Sequence, residues 1–277
     1  MSDSPASGSP PAVPEHHAGH HRVHLLTVQG KPGDQVTLPI AFSSPLRVDL
    51  VRRAVVSAQS HRIQPHGTKL TAGRRHSVEW SGKGKGVART PRLMGSNRGA
   101  QSPNTVGGGQ AHPPRVDTLW GKKINVTERR LAFASALAAT RDVELVAGRG
   151  HRIPDGIHLP VVLETKVEEI DTAAVAQELL AKLKLWADVD RASDGTHVRA
   201  GRGKRRGRFR REPKSLLVVV SLPGKARGFR NLPGVDVVAV GRLGTEDLAP
   251  GGDAGRLTVY SHAAITSLAS RLDGSSA

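Results

Sequence analysis

Apolar positions in this chain follow two different periods, and long polar stretches separate them. VHLLTV (23–28) and QVTLPI (35–40) alternate or cluster apolar residues around a Gly-Lys-Pro-Gly-Asp turn, which predicts two strands. LRVDLVRRAVVSAQS then sets Leu46, Leu50, Val51, Ala54, Val55 and Ala58 at helical spacing, so a helix is expected to end near Ser60. After a long gap, KINVTERRLAFASALAATRD reads as a second helix. Asn125 and Glu128 stand at capping-box spacing, and Leu131, Ala134, Leu137 and Ala138 form its expected apolar face. HLPVVLET is a short strand-like run, and DTAAVAQELLAKLKLW is a helix capped by Asp171 with a stripe of Val175, Leu179, Leu180 and Leu183. SLLVVVSL is continuously apolar, as in a strand buried on both faces. VDVVAVG and RLTVYS read as further strands, and SHAAITSLASRL as a closing helix. Strands alternating with helices predict an α/β fold: a mostly parallel central sheet with helices on both faces.

The gap at 61–115 changes this picture. Ten glycines and five prolines exclude a long regular element, and so long a loop inside a compact domain is either functional or disordered. The expected organisation is a disordered His/Pro/Ser-rich tail over 1–21, one globular domain from 22–60 and 116–277, and an extended basic loop at 61–115 inserted in it. With few apolar side chains, that loop is expected to be mobile alone and to order within folded nucleic acid.

Charge sharpens the division. The formal net charge is +17 over 277 residues. Residues 61–115 hold ten Lys/Arg against Glu79, and residues 199–214 hold nine against Glu212. The remainder balances at 22 of each sign, so two short segments carry the whole excess. Concentrated positive charge of this size points to a polyanion. Zero cysteines exclude a disulfide framework and a thiolate zinc site. With no secretory signal and no apolar run of membrane-spanning length, the chain is expected to be soluble and intracellular.

Enzyme chemistry finds little support in the residues. GKGKG (82–86) and GRGKRRGR (201–208) lack the GxxxxGK[ST] spacing that wraps a phosphate, and neither GxSxG nor HExxH occurs. Acidic residues form no paired constellation, so no catalytic residue is assigned. His16/His20 and His17/His21 have metal-pair spacing, but the surrounding prolines oppose a helix, and no metal is assigned. Asn125-Val126-Thr127 matches a glycosylation sequon by coincidence.

Glycine interleaved with Lys and Arg suits structured RNA: cations neutralise phosphates, and glycine lets the backbone approach closely. His76, Trp80 and Phe209 are candidates for stacking on bases, with local packing as the other use of Trp80. No helix-turn-helix, zinc finger or RNP motif is present, so structured RNA fits better than a DNA operator. A nucleic-acid-processing enzyme or an RNA chaperone with a basic clamp is the alternative.

Nine ordered blocks carry a resemblance: DLVRRAVVSAQSHRIQPHGT, GKGKGVARTPRL, GGGQAHPP, KINVTERRLAFASALAAT, VRAGRGKRRGR, PKSLLVVVS, RNLPGVDVV, EDLAPGGDAGRLTVYS and the final helix, over roughly 23–272. The chain resembles the L-four family of large-subunit ribosomal proteins, in its archaeal and eukaryotic branch. The absence of a long eukaryotic-type extension after the last helix favours an archaeal type. Where this branch often carries a basic pair before Ala-His-Pro-Pro, the chain has Gly109-Gln110. The resemblance implies a structural component of the large subunit that binds its rRNA, acts early in assembly and has no catalytic role. It implies that the extended loop lines and narrows the nascent-peptide exit tunnel, with Gly84, Lys85, Gly86, Val87 and Arg89 at the tip. Arg74, Arg75, His76, Trp80, Lys83, Lys85, Arg89, Arg92 and Arg98 are its expected rRNA contacts. Arg199, Arg202, Lys204, Arg205, Arg206, Arg208 and Arg210 form the second set. Implied partners are large-subunit rRNA, neighbouring ribosomal proteins and, transiently, the nascent peptide, with no membrane. The place is the ribosome in the cytoplasm, with no cofactor beyond magnesium held through rRNA.

Overall fold

A computed structural model describes residues 21–154 and 156–273. The chain divides into two compact units: residues 59–122 form one, and the described residues on both sides form the other. The larger unit holds a six-stranded sheet. Its strands are β1 (Arg22–Leu26), β2 (Pro32–Thr37), β5 (Val161–Leu163), β8 (Leu217–Val220), β9 (Asp236–Ala239) and β10 (Thr258–Ser261), in the order β2-β1-β5-β10-β8-β9. Only β2 runs antiparallel to its neighbour. The predicted fold class holds. The His-rich tail expected over 1–21 lies, except for His21, outside the described residues, as do both His pairs as units.

Side-chain alternation explains why this sheet takes helices on both faces. Val161, Leu163, Val218, Val220 and Val259 point into one core, with Leu179 and Leu180 of α4 (Ala173–Lys182) and Val189 of α5 (Trp186–Asp194). Their neighbours Val162, Leu217, Val219 and Tyr260 point into a second core. There they meet Val51 and Val55 of α1 (Val48–Ser60), Leu137 of α2 (Val126–Ala139), and Ile265 and Leu268 of α7 (His262–Asp273). Phe42 packs edge-on against Tyr260 with ring centroids 5.6 Å apart. Each such buried aliphatic side chain contributes roughly 1.5–3 kcal/mol.

Several local expectations are corrected. The second strand begins at Pro32 rather than Gln35, and Ile40–Ser43 form a 3-10 turn instead of its end. The capping box of α2 does not form: Asn125 makes no side-chain cap bond, and Glu128 accepts from Arg53 at 3.0 Å instead. The buried face of α2 is Ala132, Ser135, Ala136, Leu137 and Ala139, while Leu131 is exposed. Helix 171–186 is two helices, because Lys184 adopts φ +57° between α4 and α5, and Thr172 rather than Asp171 is the N-cap. Val175 of its expected stripe is exposed, while Ala176 is buried. Ala58, expected on the apolar side of α1, is exposed as well. Two short helices were not foreseen, α3 (Val143–Gly148), capped by the Asp142 carboxylate, and α6 (Thr245–Leu248).

Buried charge locks both ends of the sheet. Beyond the carboxyl ends of β5, β8 and β10, the Glu168 carboxylate accepts from Ser221 N at 2.7 Å, Ser221 Oγ at 2.6 Å and Ser261 Oγ at 2.5 Å. Open α/β sheets bind ligands in the crevice beyond their strands' carboxyl ends; here the protein's own carboxylate fills that place. At the opposite end, the fully buried Asp188 of α5 accepts from His151 Nδ1 at 3.0 Å, Arg152 N at 3.0 Å, Arg191 Nε at 2.9 Å and Ser215 Oγ at 2.8 Å. Arg256, also buried, donates to Asp236 at 2.6 Å and to the carbonyls of Ser215 and Leu216. Burial alone would raise the carboxyl pKa of Glu168 and Asp188; their hydrogen bonds outweigh it and hold both below the ordinary range.

Removing one partner from such a network leaves buried groups uncompensated. Asp188→Ala is expected to lower the unfolding free energy by about 3–5 kcal/mol in urea titration. Because the folded-state values of Asp188 and Glu168 are depressed, their stabilisation is complete above the unfolded carboxyl values of roughly 4 and is lost as pH falls below them. Wild-type stability should therefore decline from pH 5 downward, and more steeply than that of Asp188→Asn measured over the same series.

Candidate nucleic-acid interface

The two basic segments lie in different units, and each is built by its own local chemistry. Residues 59–122 carry eleven Lys/Arg against Glu79 and Asp117. Only Ser60, Pro91, Ala100 and Gly109 are buried, so apolar burial does not shape this unit. Backbone packing does. Thr68 N donates to Pro114 O at 3.1 Å, Ala100 N to Pro91 O at 2.8 Å, and Gly109 N to Gln101 O at 3.0 Å. A Cβ on Gly67 would stand 2.8 Å from Val116 N, and one on Gly73 or Gly108 would overlap the carbonyls of Gly108 or Ser102. Two arms can therefore touch main chain to main chain only because glycine stands at the contacts. The short strands β3 (Val78–Glu79) and β4 (Arg92–Leu93) pair antiparallel farther along, with Glu79 opposite Arg92. The segment thus has more internal order than its composition predicts: counting apolar side chains misses backbone-on-backbone packing.

Beyond β3 the chain forms bends over Lys83–Val87, which Ser81 Oγ closes loosely onto Ala88 O at 3.5 Å. Gly82, Gly84 and Gly86 all have positive φ with open space where a Cβ would project. Glycine serves here to turn the chain, which presents Lys83, Lys85, Val87 and Arg89 outward, all exposed. Trp80 is 66% exposed, which leaves most of its ring open. Arg74, Arg75, His76 and Arg98 are exposed along the arms. Arg92 is half-buried and donates through Nη1 to Asn97 O, which ties part of its guanidinium to its own loop.

The second basic segment is a hairpin in the larger unit. β6 (His197–Val198) and β7 (Arg210–Arg211) pair antiparallel, and Arg202–Arg206 form a 3-10 turn between them. Gly201 and Gly207, both at positive φ, bracket that turn. Arg202, Lys204, Arg205, Arg206, Arg208 and Arg210 are exposed, while Arg199 is half-buried beneath Gly203. Phe209 is 55% exposed. The hairpin is rooted firmly: Glu212 accepts from Gly234 N at 2.6 Å, Arg191 donates to Lys214 O at 2.9 Å, and Lys214 Nζ meets Asp236 at 2.8 Å.

Sequence reasoning missed the stack of His66 on Trp120, with centroids 4.5 Å apart and planes 20° apart. It also missed Gln101, whose side-chain amide donates to the carbonyls of Arg74 and His76. The one local signal was the Gly107–Gly109 triplet, a pattern that invites close backbone approach. Among the described residues, no group of His, Asp and Glu is disposed to hold a metal, and no helix is long and apolar enough to cross a membrane.

The family model described as "Ribosomal protein L4/L1 family" matches residues 36–271. The chain is 46% identical over 254 residues to "Large ribosomal subunit protein uL4" of Methanopyrus kandleri, covering 90% of this chain and 98% of that relative. It is 42% identical over 248 residues to the protein of the same name from Methanosphaera stadtmanae, covering 89% and 96%. For that from Pyrobaculum aerophilum the values are 46% over 252 residues, with 89% of each chain covered.

The glycine contacts generate a test. Gly67→Val is expected to separate the arms, so hydrogen exchange at the amide of Thr68, which donates across them to Pro114 O, should accelerate by tenfold or more, roughly the 1.4 kcal/mol lost per decade of opening. Amides of β8 and β10 should exchange at their wild-type rates.

Proposed function

The chain belongs to the ribosomal protein L4/L1 family, and on that premise we propose how its two basic segments serve a structural component of the large ribosomal subunit. Each segment binds large-subunit rRNA. The observation that carries this reading is the separation of charge: the body is electrically balanced, and the excess cations stand in two glycine-turned segments whose only acidic residues lie at their roots or arms. Arg205 and its neighbours in the 3-10 turn form a compact cationic knob suited to phosphates, and Phe209 beside it offers a stacking face. Arg74, Arg75, His76 and Arg98 line the arms of the 59–122 unit, with Trp80 exposed for stacking.

The tip formed by Gly84, Lys85, Gly86, Val87 and Arg89 lines and narrows the path of the nascent peptide. Two glycines at positive φ keep it thin, and the exposed side chains of Lys85, Val87 and Arg89 offer a polypeptide little to hold. Neighbouring large-subunit proteins contact the body, and the protein works in the cytoplasm within the ribosome. Any magnesium at the interface is held through rRNA. The protein catalyses nothing: the buried carboxylates Glu168 and Asp188 and the half-buried Asp236 are each tied to structural donors. No observation favours a nucleic-acid-processing enzyme or chaperone.

Two measurements test the reading. The logarithm of affinity for large-subunit rRNA should fall steeply and linearly with the logarithm of salt concentration. Replacing Arg202, Lys204, Arg205 and Arg206 with Gln should lower that slope by about 3, near one per lost phosphate contact. Deleting 74–98 should leave the circular dichroism of the larger unit intact while abolishing co-sedimentation with large subunits after a high-salt wash. A flat salt response in the wild type would refute RNA binding by charge.

A further inference from the structure

Within the 59–122 unit the arms meet at two places, Gly67 against Pro114–Val116 and Gly73 against Gly108–Gly109. Between those contacts they bow apart around a cavity of about 310 Å³. Lys69, Arg74 and Arg115 line it together with Gln110 and Ala111, and no carboxylate does. The side chains of Lys69, Arg74 and Arg115 form no ion pair with any described residue. The Arg74 stem lies across Gly109, where a Cβ would stand 2.7 Å from its Nε, and Gln101 fixes the Arg74 carbonyl from behind. Three uncompensated cations thus line one recess with glycine backbone for a wall.

That combination selects a ligand. The volume sits at the lower end of the roughly 300–1,000 Å³ typical of small-molecule sites, the scale of one nucleotide rather than a duplex edge. The arms meet on either side of this recess at Gly67 and Gly73, so it admits a base splayed out of a strand more readily than one stacked within a helix. A peptide wall without Cβ atoms admits a flat ring at contact distance. Arg guanidinium forks grip a phosphate bidentately, and Gln110 can donate to and accept from a base edge.

We propose that this cavity receives a single ribonucleotide extruded from an RNA strand, its phosphate held by Lys69, Arg74 and Arg115 and its base lodged against the glycine wall beside Gln110. The proposal rests on the RNA-binding reading above and adds a defined subsite to it. The nucleotide belongs to a strand rather than to the free pool, because Arg75 continues the cationic track past Arg74 and offers a site for an adjacent phosphate.

The test uses the full chain and large-subunit rRNA. Ala111→Phe fills the cavity without changing charge, and Lys69→Ala/Arg115→Ala removes the phosphate grip. Chemical probing of the wild-type complex should show one nucleotide whose base is protected while its sugar becomes more reactive. In Ala111→Phe that signature should vanish and affinity should fall roughly tenfold, the order of one lost base contact, with the salt slope unchanged. Persistence of the signature in Ala111→Phe would overturn the proposal. If circular dichroism shows that variant unfolded, the double variant decides in the same way: loss of the signature supports the subsite and its retention refutes it. Saturable micromolar binding of free AMP, measured by equilibrium dialysis and abolished by Ala111→Phe, would refute a strand-borne nucleotide. Failure of the wild type itself to bind rRNA would overturn the underlying reading, and is recognised because wild type and variants fail alike.

Discussion

A carboxylate buried in a folded body must be hydrogen-bonded, and once so held it cannot neutralise a cation elsewhere. Much of this molecule follows from that constraint. Glu168 joins the carboxyl ends of three strands, Asp188 joins α5 to the start of β8, and Asp236 meets Arg256 and Lys214. Within the basic segments the two acids are exposed but placed away from the turns: Glu212 accepts from Gly234 N, and Glu79 faces Arg92 across a ladder. Neither acid reaches the exposed cations at the turns. The charge that serves RNA survives because the charge that could cancel it is engaged in holding the structure together.

The two units show two ways of fixing a chain. In the larger one, alternate residues of β5, β8 and β10 feed two apolar cores, and hydrophobic burial decides the outcome. In residues 59–122 there is almost nothing to bury, and shape comes from main-chain hydrogen bonds across glycine contacts. Side chains released from packing are then free for a ligand. Trp80, Val87 and Leu70 are exposed there for this reason.

What was legible in the sequence was what depends on neighbours along the chain. The continuous run of β8, the stripe of α1 and the charge of both basic segments are local patterns, and they were read correctly in kind. What was not legible depends on partners far apart. Glu128 fails to cap α2 because Arg53, 75 positions away, takes its carboxylate. The break between α4 and α5 turns on the left-handed conformation of Lys184, a residue with no intrinsic preference for it. The contact of Gly73 with Gly108 joins two glycines that look, one at a time, like ordinary loop residues.

The 59–122 unit is internal: the chain enters it from α1 and leaves it toward α2, and both helices belong to the same folded body. Such a segment has no free end to thread. It can enter a fold of nucleic acid only tip first, with both arms passing together. Any opening that receives it must therefore be as wide as two chains held side by side at Gly67 and Gly73.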